Sequence, residues 1–131
     1  MKKAIALILS LMLVLGTVSF ALADTATAKI IPATSIQDFV GEWKMIGVLQ
    51  NGKFQKNSAV MNLVIEEDSL VLSSNGQKAT APVIFDDEEG YLLVADSSGE
   101  GSIQLRDDGT IVFFFDSNDK SSYAVVFQKT K

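Results

Sequence analysis

Two acidic runs are the residues whose type and spacing come nearest to a metal site. Residues 86–89 read Asp-Asp-Glu-Glu and residues 116–119 read Asp-Ser-Asn-Asp, and both runs supply oxygen ligands of the kind that calcium accepts. The second run begins like a calcium-binding loop. However, Lys120 stands at its fifth position, its sixth position is not glycine, and Phe127 stands where the closing glutamate belongs. We therefore interpret both runs as solvated hairpin turns and predict no metal site and no cofactor.

The chain contains no histidine and no cysteine, which removes most routes to nucleophilic catalysis. A serine–histidine or cysteine–histidine pair cannot form, and the commonest zinc and copper ligand is missing. Paired carboxylates can perform acid–base chemistry, but none lies on the strand face that the pattern predicts to point inward. The sequence therefore predicts a protein that is not an enzyme.

Aromatic and methionine residues on the inward face could instead hold a small apolar ligand. Methionine side chains adapt to irregular gaps and suit a variable apolar guest. The alternative is that these residues only form the core. The candidates for the ligand site are Trp43, Met45, Met61, Tyr91, Phe113, Phe115, Tyr123 and Phe127.

Several apolar residues fall on the opposite, outward face and predict a contact surface. The candidates are Ile46, Val48, Val64, Val112, Phe114 and Val126. If the last strand pairs with the first, they lie on four neighbouring strands. Ile30 and Ile31, a second copy of the chain in a homodimer, or a partner protein of the cell envelope could cover this surface.

Short runs rich in β-branched and aromatic residues alternate with turn residues from Gly41 onward. Asn51-Gly52 and Asn75-Gly76 are strong hairpin signals. The pattern predicts eight strands, over residues 42–50, 59–66, 70–73, 78–85, 91–95, 102–106, 110–115 and 121–129. Period-2 alternation also assigns Leu49, Leu63, Ile65, Leu70, Leu72, Val83, Phe85, Leu93, Ile103, Leu105, Ile111 and Val125 to the inward face, and Arg106 and Thr110 to the outward face.

These strands predict an all-β fold, an eight-stranded antiparallel up-and-down meander with one apolar face. Closure into a small barrel would remove the exposed edges, and a sandwich is the alternative. One short helical turn precedes the first strand, because Ser35 has Asp38 three residues later and Gly41 ends the turn.

Residues 1–23 are typical of a bacterial secretory signal peptide. Lys2 and Lys3 precede an uncharged apolar run, and Ala21-Leu22-Ala23 forms a cleavage site. Ala26-Thr27-Ala28 offers a second site, and an uncleaved membrane anchor is the alternative. The remaining chain divides into a flexible lead-in at residues 24–34 and a barrel domain at residues 35–131.

Cleavage after Ala23 removes two of the 11 basic residues and leaves nine against 16 acidic ones, a net charge of −7. This balance disfavours nucleic acid and anionic membrane surfaces as partners. We expect a secreted or periplasmic domain that has no membrane span after cleavage. Because it has no cysteine, its core alone must hold it together.

At residues 39–44, Phe-Val-Gly-Glu-Trp-Lys, the chain resembles the opening of lipocalins and intracellular fatty-acid-binding proteins. It is most similar to small secreted lipocalin-like domains of bacteria. The resemblance implies a short helical turn and a Gly-x-Trp strand whose indole closes one barrel end. It also implies a cation over Trp43, for which Lys129 is the candidate. We therefore expect an exported, non-enzymatic lipocalin-like domain that binds a small apolar ligand. The alternative is a protein–protein module, of inhibitor or adhesion type, that uses the outward patch.

Overall fold

The computed structural model describes Ile5 and residues 29–50, 53–56, 59–118 and 120–130. Apart from Ile5, the predicted signal peptide lies outside the described residues, as do residues 24–28 of the predicted lead-in. The strands are β1 (Ile30–Ile31), β2 (Gly41–Gln50), β3 (Lys53–Lys56), β4 (Asn62–Ile65), β5 (Ser69–Ser74), β6 (Gln77–Asp86), β7 (Tyr91–Asp96), β8 (Gly99–Arg106), β9 (Ile111–Ser117) and β10 (Ser122–Lys129), with a 3-10 turn at Ile36–Asp38.

Eight of these strands form a closed antiparallel barrel, which confirms the predicted fold. Neighbours run in the order β2, β4, β5, β6, β7, β8, β9, β10, and β10 pairs with β2 to complete the ring. All of these pairings are antiparallel. The two additional strands are short: β1 pairs with β8, and β3 pairs with β2.

Strand β2 changes partner along its length. Residues 41–44 pair with β4, whereas residues 47–50 pair with β3. On its other side, the register with β10 shifts where Val126 faces Gly47 and Phe127 faces Met45, so that Ile46 is bulged. The bulge changes which side chains of β2 face inward beyond this point.

The barrel has two ends, which we name after one residue each. The Trp43 end is where β2 begins, and the 3-10 turn lies beside it. The Asp96 end is where β7 ends and the turn at Ser97 and Ser98 leads into β8. Because neighbouring strands are antiparallel, the turns between β5 and β6 and between β9 and β10 also lie at the Asp96 end.

The described part of the lead-in is bonded to the Trp43 end of the barrel. The N–H of Asp107 donates to the carbonyl of Lys29 at 2.8 Å, and the N–H of Ala33 donates to the carbonyl of Gly90 at 2.9 Å. Gly90 has a φ of +80°, and a Cβ there would lie 2.7 Å from the Ala33 nitrogen. Glycine is therefore required for the close contact between this turn and the lead-in.

No helix among the described residues is long and apolar enough to cross a membrane.

Candidate functional site

Seven of the eight residues predicted to line a ligand site lie together in one cluster of buried side chains inside the barrel. They are Trp43, Met45, Met61, Phe113, Phe115, Tyr123 and Phe127. Phe113 and Phe115 meet edge to face with ring centroids 5.9 Å apart, a favourable arrangement for aromatic pairs. The sequence therefore identified the interior aromatic residues of β9 and β10 correctly.

Tyr91 is the exception, and its predicted inward orientation is wrong. It pairs with Asp86 at the start of β7 and lines a groove on the outside of the barrel. Leu92 pairs with Phe85 and is buried, whereas Leu93 pairs with Ile84 and is 41% exposed. Two adjacent leucines fit either phase of the alternation, and the register with β6 sets the phase that buries Leu92.

The Trp43 end is closed by aromatic side chains. The indole N–H of Trp43 donates to the carbonyl of Phe39 at 2.8 Å, and the Trp43 side chain is 2% exposed. The ring of Phe39 packs against that of Phe85 with centroids 6.3 Å apart. Lys129 Nζ lies 5.6 Å from the centroid of the Trp43 ring, which confirms the predicted cation–π contact.

Two side chains hold the start of the 3-10 turn that supports Phe39. Ser35 Oγ accepts from the N–H of Gln37 at 3.2 Å. Asp38 accepts from the N–H of Thr34 at 2.9 Å and from its hydroxyl at 3.2 Å. The backbone hydrogen bond from Thr34 is the main cause that lowers the pKa of Asp38 below its usual value of 3.8. Ser35 and Asp38 therefore both stabilise the start of this turn, with Ser35 bonded to Gln37 and Asp38 to Thr34.

At the opposite end, the Asp96 carboxylate lies at the inner rim of the barrel. Asp96 follows Leu92 and Val94 at a spacing of two, and both of these residues are buried inside. One carboxylate oxygen, Oδ1, accepts from the N–H and the hydroxyl of Ser98 at 2.8 and 2.6 Å. The other, Oδ2, accepts from the N–H of Ile5 at 3.0 Å.

On β6 and β8 the interior wall near the Asp96 end is built from small residues, whereas β9 and β10 place Phe115 and Tyr123 inside at this end. Ala79 and Ala81 are the buried residues in the first half of β6, and each is 1% exposed. Gly99 and Gly101 of β8 pair with Asp96 and Val94, so this part of β8 places no side chain inside.

Ile5 occupies the interior despite its distance from the barrel strands in the sequence. Its side chain is 0% exposed and belongs to the same buried cluster as the predicted ligand-site residues. Its N–H reaches Asp96, 91 residues away. The sequence pattern of the leader indicated a signal peptide and contained no signal that would place Ile5 against the barrel.

The predicted outward contact patch is largely covered by the chain itself. Phe54 of β3 forms a second buried cluster with Val112 and Val126, and all three are at most 1% exposed. Ile46 and Phe114 are half-buried against this cluster.

Gly47 lets Phe54 pack over this face, because a Cβ at Gly47 would lie 2.5 Å from the carbonyl oxygen of Gln55 and 2.6 Å from the Phe54 ring. Phe54 had no predicted role, although a large apolar residue directly after a hairpin is a recognisable signal.

Two residues of β2 were assigned to the wrong faces. Val48, predicted to point outward, belongs to the interior cluster, and Leu49, predicted inward, packs on the outer cluster opposite Phe54. The bulge at Ile46 shifts the alternation by one residue and explains both errors. Val64 lies on β4 and is 36% exposed.

Arg106 and Thr110 were predicted to face solvent but are buried, at 3% and 7% exposed. They flank the turn between β8 and β9, where the N–H of Arg106 donates to the carbonyl of Thr110 at 2.9 Å. Strand alternation alone does not account for their burial.

A groove of about 500 Å³ runs across the outside of β6 to β9. Its apolar floor includes Ile84, which is 67% exposed, and Leu93. Glu100 and Asp116 stand directly opposite each other at its edge, on β8 and β9. Like charges in this arrangement repel each other, and a cationic group between them would relieve the repulsion.

The acidic turns make local hydrogen bonds. Asp86 Oδ1 accepts from the N–H groups of Glu88 and Glu89, each at 3.0 Å. Asp116 Oδ1 accepts from the hydroxyl of Ser122 at 2.8 Å. Asp119 lies outside the described residues. Within the part of the chain that the structure describes, no three acidic side chains are grouped to hold a metal ion.

Comparison of the chain with protein-family models, with curated proteins and with solved structures found no significant match.

Proposed function

We propose that this chain is an exported, non-enzymatic lipocalin-like domain that binds a small apolar ligand inside the barrel, near the Asp96 end. The burial of Ile5 carries the proposal. An apolar side chain from outside the barrel strands is completely buried and packs against the interior cluster. A part of the chain that is removed on export would leave this volume to another apolar group.

The dimensions of the barrel support a small ligand. Barrels of about eight strands are just wide enough to be filled by side chains or to hold one small molecule. The rings of Trp43 and Phe39 close the Trp43 end, whereas Ala79 and Ala81 contribute only small side chains to the wall at the Asp96 end. This asymmetry supports a ligand position beside β6 and β8 at the Asp96 end.

Native mass spectrometry of the protein purified after export tests the proposal directly. A discrete added mass that dissociates on activation is the expected result, together with an N-terminus at Asp24 or Lys29. The variant Ala81→Leu fills the interior and should lose the added mass while keeping a folded far-UV circular dichroism spectrum. The control Ile84→Ala, on the outer surface, should keep it. A bare, folded wild-type barrel that also takes up no neutral apolar probe contradicts the proposal.

The outer groove favours a second candidate function, contact with another protein. Ile84 and Leu93 expose apolar surface, and Glu100 and Asp116 add negative charge at its edge. The complementary partner is a segment that combines apolar side chains with lysine or arginine.

A synthetic octapeptide of alternating leucine and lysine tests the second candidate by fluorescence anisotropy. We expect saturable binding that is lost in Ile84→Lys, and no binding of the matching leucine–glutamate peptide. Equal binding to the wild type and to Ile84→Lys would exclude the groove as the contact surface.

A further inference from the structure

The bond between Ile5 and Asp96 also indicates which ligands the interior site prefers. We infer that Asp96 selects an apolar chain with an ammonium or amide N–H head group, and that Ile5 competes for the same place. This inference rests on the function proposed above and assigns to that site a head-group preference and a competitor from the same chain.

The Asp96 carboxylate is held in a fixed orientation. Its Oδ1 atom accepts two hydrogen bonds from Ser98. The turn that carries Ser98 is itself tied to the next turn, because Asn118 donates from its N–H to the carbonyl of Ser98 at 2.7 Å and from its side-chain amide to the carbonyl of Ser97 at 2.9 Å. A carboxylate positioned in this way loses little freedom when Oδ2 binds a donor.

The position of Oδ2 relative to the interior determines the ligand class. The group that bonds to Oδ2 is an N–H, and the side chain attached to the same residue, Ile5, is completely buried. A ligand that reproduces both contacts has a nitrogen donor directly attached to an apolar chain. A carboxylate head would instead place a negative charge against Asp96, and an ester head would offer no donor.

Because Ile5 occupies the site in the full chain, we expect Ile5 and a ligand to compete for it. Ile5 contributes both the apolar side chain and the N–H, so it excludes a ligand that makes the same two contacts. Ile5→Asp introduces a charge that is costly to bury and should release the site without changing any barrel strand.

Displacement of the neutral fluorescent probe N-phenyl-1-naphthylamine from the full chain tests the inference. Dodecylamine, dodecanoate and methyl dodecanoate share the same apolar chain and differ in head group. We expect dodecylamine to displace the probe at a concentration about tenfold lower than the other two, as a charge-assisted hydrogen bond implies. In Asp96→Asn, which keeps the shape of the side chain, this preference should fall to within about twofold.

Two further variants complete the test. The control Asp87→Asn removes an equal charge from an exposed turn at the Trp43 end and should keep the preference for dodecylamine. Ile5→Asp should lower the concentration of dodecylamine needed for displacement by about tenfold, because burial of one apolar side chain is lost from the competitor. The emission maximum of Trp43, the only tryptophan, should not move, because it lies at the other end.

Three results would overturn the inference. Equal displacement by all three compounds means that ligands bind without selection by Asp96, and the proposed function then stands alone. Equal weakening of all three in Asp96→Asn assigns Asp96 a purely structural role. If the probe and the compounds do not bind to wild type or to Ile5→Asp, both the inference and the proposed function fail.

Discussion

Replacement of Trp43 measures how much the closed end contributes to stability. Its side chain is 2% exposed, and its indole N–H satisfies the carbonyl of Phe39 at 2.8 Å. Trp43→Ala removes the ring, leaves a cavity and deprives this carbonyl of its donor. Comparable truncations of buried aromatic residues cost about 3–5 kcal/mol. For a domain of this size, the midpoint of thermal unfolding should fall by at least about 10 °C.

A second variant separates the two contributions. Trp43→Phe keeps an aromatic ring but lacks the N–H, so it should cost about 1–3 kcal/mol, the range for a buried acceptor left without a partner. Because both changes remove the only tryptophan, unfolding in urea should be followed by far-UV circular dichroism.

Ile84→Ala is the matched control for these variants. Ile84 is 67% exposed, so this change should alter stability by no more than about 0.5 kcal/mol. If Trp43→Ala unfolds at the same urea concentration as the control, Trp43 does not close the barrel and the reasoning is wrong.

Four other variants probe separate contacts. Gly47→Ala should cost about 1–3 kcal/mol, because its Cβ would collide with the Gln55 carbonyl oxygen and with the Phe54 ring; only the part due to the ring should disappear in a Phe54→Ala background, as a double-mutant cycle in urea would show. Lys129→Gln should cost about 0.5–1 kcal/mol, with the urea midpoint as the measure. Gly90→Ala should speed tryptic cleavage near the lead-in, since its φ is +80°. The pKa of Asp38 in the folded state is lowered from 3.8, so the ionised carboxylate stabilises the fold above pH 3.8. This stabilisation is lost as the pH falls through the pKa of the folded state. In Asp38→Asn, the urea midpoint should therefore depend less on pH in this acidic range.

The number and order of the barrel strands could be predicted because turn residues separate them clearly. Asn75-Gly76 stands between β5 and β6, and Asp108-Gly109 stands between β8 and β9. The inward and outward faces of a strand were harder to predict where two adjacent apolar residues fit either phase of the alternation. The pair Leu92-Leu93 is one such case, and only the register with β6 decides between them.

The buried side chains around the candidate site were predictable, but the contact at Asp96 was not. Trp43, Phe113 and Tyr123 were recognised as interior residues from volume and alternation. The role of Asp96 depends on a contact with Ile5, 91 residues away, which no local pattern contains. The cover formed by Phe54 was likewise missed, since it depends on how β3 folds onto the outside of the barrel.

The pairing of β2 with β10 has a consequence for how the protein folds. Trp43 of β2 is matched with Lys129 of β10, so the first and last barrel strands meet only when nearly the whole domain is available. Contacts that join such distant residues slow folding, because a long loop must be closed before they form. Before β10 pairs, β2 and β9 each expose one edge with unpaired backbone N–H and C=O groups. Exposed edges of this kind promote aggregation. Pairing of the last strand is therefore the step that closes the barrel and covers both edges.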